Sequence, residues 1–192
     1  FETKYNWKPS SHACHALLLA IARSSQEKQQ QQGFDPVTTI KQTYKYLQDN
    51  KMHIDERTHT IVINCLVDNH QNDQAMSIYL QYKSQLNIDA ANAILKGMLR
   101  QQKMQDAIHF FNELKQAASK QQQQQQQQHV STTNNEKQKG LKPDVFTYTM
   151  LIAAYAKARQ MQAAEALLEE MIKNKCAPND TTFAALINGH IS

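Results

Sequence analysis

The apolar residues of this chain recur in pairs of helical stripes held at one fixed phase, and this phase constrains the fold more than any compositional figure. Tyr148, Leu151, Ile152 and Tyr155 fall at i, i+3, i+4 and i+7, the spacing that lines one side of an α-helix. Sixteen residues after Tyr148, Ala164 opens the same spacing with Leu167, Leu168 and Met171. The offset of sixteen returns between Ala91 (with Ile94, Leu95, Met98) and Ala107 (with Phe110, Phe111, Leu114). It returns again between His59 (with Val62, Ile63, Leu66) and Ala75 (with Ile78, Tyr79, Tyr82). In a further pair Cys14, Leu17, Leu18 and Ile21 precede Ile40, Tyr44 and Leu47, the second stripe being delayed by a glutamine run. Phe183, Leu186 and Ile187 open another unit.

Constant phase between paired helices marks an internal repeat. Alanine opens three of the second stripes, at positions 75, 107 and 164, where a small side chain lets two helices approach closely. One helix pair cannot bury both of its apolar faces, so neighbouring pairs must stack and share a core. The expected fold is all-α, an α-solenoid of tandem antiparallel helix pairs.

Composition narrows the function classes. Four glycines and four prolines in 192 residues argue against a turn-rich β fold and against glycine-built phosphate loops. Cys14, Cys65 and Cys176 are odd in number and far apart, which excludes a disulfide scaffold or a CxxC zinc site and points to reduced thiols. No apolar run is long enough to span a membrane, so no membrane insertion is expected. The start at Phe1 and the end at Ser192 read as those of an excised segment. The net charge of +4 permits a polyanionic partner without requiring one. Residues 24–33 and 116–140 are polar, rich in glutamine and without apolar period, and are predicted to be disordered insertions.

The segment Val145–Asn179 reads VFTYTMLIAAYAKARQMQAAEALLEEMIKNKCAPN and strongly resembles a pentatricopeptide repeat. Thr147-Tyr148, Leu151-Ile152, Tyr155, Lys157, Ala164, Leu167, Met171 and Pro178 stand on that family's positions, while Arg159 replaces its turn glycine. Residues 88–144 fit once the 116–140 insertion is set aside, with Asn92 in the opening and Gly140-Leu141-Lys142-Pro143-Asp144 as the ending. Residues 11–55 and 56–87 are degenerate units, 1–10 the end of a preceding one, and 180–192 the start of a truncated one.

The resemblance implies a superhelix that binds single-stranded RNA, one base per unit, read by the fifth residue of a unit and its last. Those pairs are His15 with Asp55, Thr60 with Asn87, Asn92 with Asp144, and Thr149 with Asn179. By the family's pairing, Asn–Asp reads uridine and Thr–Asn adenosine; His–Asp matches no established combination. Chemically, Asn and Thr both donate and accept and so suit a Watson–Crick edge, although the same residue types serve as helix caps. The second residues, which pack on the base, are His12, Arg57, Asp89 and Phe146. Phe146 and Arg57 suit stacking, whereas Asp89 has the wrong charge for a polyanion. Arg23, Arg100 and Lys157 occupy the thirteenth position, near the expected phosphates, with Asp68 interrupting the row.

No catalytic group and no cofactor is expected. His12, Cys14 and His15 are too few for a metal site, and Glu165, Glu169 and Glu170 read as a solvated helix face. The leading expectation is a sequence-selective RNA-binding segment acting, by the resemblance, in mitochondrial RNA stabilisation, processing or translation. The alternatives are a scaffold for protein partners of the tetratricopeptide kind, or the targeting arm of a larger RNA-processing nuclease.

Overall fold

The computed structural model describes residues 10–26, 35–127 and 141–191, and among them every regular element is helical. The α-helices are α1 Ser11–Gln26, α2 Pro36–Asp49, α3 Glu56–Asp68, α4 Asn72–Tyr82, α5 Ile88–Arg100, α6 Met104–Gln127, α7 Val145–Lys157, α8 Met161–Lys173 and α9 Asp180–Ile191, with a 3₁₀ turn at Lys83–Gln85. The helices of three pairs start sixteen residues apart, at Glu56 and Asn72, Ile88 and Met104, and Val145 and Met161. The all-α architecture of consecutive helix pairs is the one the stripes predict.

Two compact units divide within α5, between Ile94 and Leu95. In the first, α1 packs on α2 and α3 packs on α4, while the leading helices α1 and α3 lie against each other. In the second, α7 packs on both α8 and α9. The opening alanines Ala75, Ala107 and Ala164 are fully buried, as close helix approach requires. Leu151, Ile152 and Met171 are likewise sealed from solvent. Each such side chain contributes about 1.5–3 kcal/mol through burial. Phe183 and Ile187 of α9 stand where Tyr148 and Ile152 stand in α7, yet they are 48% and 56% exposed. Among the described residues no second helix covers them.

Five turns follow one backbone solution. Lys51, His70, Gln102, Arg159 and Lys175 all have φ between 51° and 61°. Each ends a helix with the paired bonds of a Schellman motif, for example Arg159 N–H to Ala156 O and Gln160 N–H to Tyr155 O. The left-handed turn therefore survives at Arg159 without glycine.

Three expectations are corrected. Residues 24–26 belong to α1, and 116–127 continue α6, while 27–34 and 128–140 lie outside the described residues. The helix persists because Ala118 extends the buried stripe of Ala107, Phe111 and Leu114, and because glutamine is a good helix former. Glu170 is also no simple solvated carboxylate. It is two-thirds buried, pairs with Lys115 Nζ at 3.0 Å and accepts from the Tyr148 hydroxyl at 3.2 Å. Burial pushes the Tyr148 phenol up to about 12, so it remains a donor, and Asn174 Nδ2 donates to its oxygen at 2.8 Å.

Candidate nucleic-acid interface

Three threonines at the third place of their units organise the starts of the leading helices. Asp55 Oδ1 accepts from the Thr58 backbone N–H at 2.8 Å and from the Thr58 hydroxyl. Asp144 Oδ1 accepts from the Thr147 N–H at 2.9 Å and its hydroxyl at 2.8 Å. Asn179 Oδ1 accepts from the Thr182 N–H at 3.0 Å and its hydroxyl at 2.9 Å. These are N-caps, and each satisfies an otherwise unpaired helix donor. In all three caps the bonds converge on Oδ1.

Two of these threonines, Thr58 and Thr182, draw the fifth residue of the preceding unit to its last residue. Thr149 Oγ1 lies 2.7 Å from Thr182 Oγ1, which is bonded to Asn179. His15 Nδ1 lies 2.7 Å from Thr58 Oγ1, which is bonded to Asp55, and 3.9 Å from Asp55 Oδ1 itself. Burial alone would raise the Asp55 carboxyl. The two Thr58 bonds and the nearby His15 and His53 outweigh it and hold the group below the usual carboxylate range.

The Thr60–Asn87 pair is not assembled in this way. The third place of the next unit is Ala90, which has no hydroxyl to bridge with. Asn87 Oδ1 caps α5 through the Asp89 and Ala90 N–H groups, and its amide donates to Asp89 Oδ2 at 3.0 Å. Thr60 instead donates to the Glu56 carbonyl at 2.9 Å, within its own helix. Asn92 is 3% exposed and offers a ligand almost no surface.

The second-place residues His12, Arg57, Asp89 and Phe146 are all exposed, Phe146 to 54%. Phe146 precedes Thr149 by three residues on α7, so the two share one helix face. Lys157 and Arg100 are exposed in the last turns of α7 and α5. Arg23 belongs to α1, and its side chain lies outside the described ones. Among the described residues no three His, Cys, Asp or Glu side chains cluster as metal ligands, and no helix is long and apolar enough to cross a membrane.

Sequence reasoning passed over Thr58 and Thr182. Their signal was present: threonine stands at the third place of the units opening at 56, 145 and 180, immediately before the buried stripe.

Residues 143–192 match the PPR repeat family. The small ribosomal subunit protein mL103 (rPPR7) of Arabidopsis thaliana is 25% identical over 199 residues, covering 96% of this chain and 46% of that protein. Among solved structures, the pentatricopeptide repeat protein PPR10 from maize is similar with a TM-score of 0.61 and 17% identity, over 96% of this chain and 22% of its own. The same protein in complex with an 18-nt psaJ RNA element gives a TM-score of 0.59 and 19% identity, over 93% of this chain and 22% of its own. The chain thus spans less than half the length of each of these relatives.

Proposed function

We propose that the chain is a pentatricopeptide-repeat segment, as the match of residues 143–192 to the PPR repeat family supports, and that it binds single-stranded RNA and selects bases at particular units. The observation that carries this reading is the Thr149–Thr182–Asn179 chain of hydrogen bonds. It gathers the fifth and last side chains of the 145–179 unit at one place, with exposed Phe146 on the same face of α7. A base needs polar groups at its edge and a flat side chain on its face, and this unit supplies both. Lys157 and Arg100, with Arg23, would neutralise phosphates, and Arg57 would stack through its guanidinium. Asn92, Asp144, Thr60 and Asn87 remain lesser candidates for base contact, Asn92 the least of them because it is almost wholly buried. The setting we propose is organellar, and mitochondrial in particular. The ribosomal role of the Arabidopsis relative favours a task in translation.

The unit at 56–87 favours a second role there. Its amide is spent on Asp89 and its second-place successor is an exposed carboxylate, so this stretch suits a protein partner better than a polyanion.

Single-stranded RNA binding measured across a salt series tests the main reading. With about three phosphate contacts the log–log slope should be about −2. Lys157→Ala should weaken all sequences alike and flatten that slope. Thr149→Asn should instead move the preference at one nucleotide from adenine toward a pyrimidine at nearly unchanged slope. RNA binding indifferent to both substitutions would overturn the reading in favour of a protein scaffold.

A further inference from the structure

Hydrogen-bond polarity in the 11–55 unit assigns it a base that its residue pair does not announce. The Thr58 hydroxyl has one proton, and it lies against Asp55 Oδ1, an oxygen that can only accept while the carboxyl is ionised. Were that proton turned toward His15, two oxygen lone pairs would face each other at hydrogen-bond distance. The proton therefore sits between Thr58 and Asp55. Thr58 can then only accept from His15, so the imidazole carries its hydrogen on Nδ1 and donates across the 2.7 Å contact. A neutral ring with Nδ1–H has a lone pair on Nε2. Asp55 uses Oδ1 for its cap and keeps Oδ2, and its side chain is 48% exposed. With the imidazole neutral, the fifth and last residues of unit 11–55 offer two acceptors, Nε2 and Oδ2.

The 145–179 unit runs through the same logic to a different end. Thr182 donates to Asn179 Oδ1, Thr149 donates to Thr182, and Thr149 is left as an acceptor beside the Asn179 amide donor. Acceptor beside donor complements the 6-amino group and N1 of adenine, in keeping with the family's pairing for Thr–Asn.

Guanine is the base whose Watson–Crick edge carries two adjacent donors, N1–H and the 2-amino group. We infer that His15 and Asp55 form a guanine-selecting site, with Thr58 as the positioning residue that fixes the imidazole tautomer. This rests on the base-reading proposal above and adds the identity of one base to it.

The test is selection of short single-stranded RNAs from a random pool by the full chain, followed by affinities of individual oligonucleotides. Guanine is expected at a nucleotide distinct from the one that responds to Thr149→Asn. Replacing that guanine by inosine, which lacks the 2-amino group, should weaken binding about tenfold, the worth of one hydrogen bond to a charged acceptor. Asp55→Asn keeps the cap, because asparagine caps as well as aspartate. It presents an amide donor in place of Oδ2 and should move the preference there from guanine to adenine. If Thr149→Asn shifts its own nucleotide while inosine equals guanine, or Asp55→Asn changes nothing, the guanine assignment is wrong and the base-reading proposal stands. If no variant shifts any nucleotide, or the chain binds no RNA, both fall.

Discussion

Gly189 of α9 sits so close to Ala156 of α7 that a Cβ at position 189 would stand 2.6 Å from the Ala156 Cβ and 3.1 Å from its Cα. The Met161 Sδ, 2.7 Å away, can swing aside, but Ala156 is fixed to its backbone. Gly189→Ala gains about 1 kcal/mol of helix propensity, against an overpacking cost of about 1–3 kcal/mol. The clash should win, lowering the melting temperature by a few degrees. Adding Ala156→Gly should restore part of the loss, and simple additivity of the two single effects would refute the contact.

Ala164 is fully buried where α8 packs on α7. Ala164→Arg would bury an unpaired charge and overpack the site, each costing several kcal/mol, comparable to a domain's whole stability. Helical circular dichroism should fall and residues 145–191 should become protease-sensitive. An unchanged melting curve would rule out the helix pairing.

The left-handed turns at Gln102 and Lys175 carry exposed side chains with φ of 60° and 57°. An L-residue there costs about 1–2 kcal/mol relative to glycine, partly offset by the greater freedom glycine has in the unfolded chain. Gln102→Gly and Lys175→Gly should each stabilise by about 0.5–1 kcal/mol, read as a shift in urea midpoint at constant slope.

His59 is buried, accepts or donates at 2.8 Å with the Tyr44 hydroxyl and stacks on Tyr82 at 4.1 Å. Burial holds its pKa below the ordinary 6.5, with Asp55 opposing. The unfolded chain then binds more protons than the folded one, so stability is complete above 6.5 and is lost as pH falls below it. Melting temperature followed downward from neutral pH should drop more steeply for the native chain than for His59→Phe.

Much of this was legible in sequence because it is local. Stripes at i, i+3 and i+4, an alanine opening the second helix, and Asp or Asn ahead of a leading helix act within a few residues, and each appears in the structure where the spacing puts it. The polyglutamine run misled because low apolar content looks alike in a helix and in a coil, and only the burial of Ala118 shows α6 continuing into it. Tertiary structure alone decided the rest. Thr58 meets His15 across 43 residues and Thr182 meets Thr149 across 33, contacts that exist because adjacent leading helices pack side by side. The sequence determined which residues stand at the fifth, last and third places. Packing determined which of them share a proton, and thereby which donors and acceptors each unit leaves for a ligand.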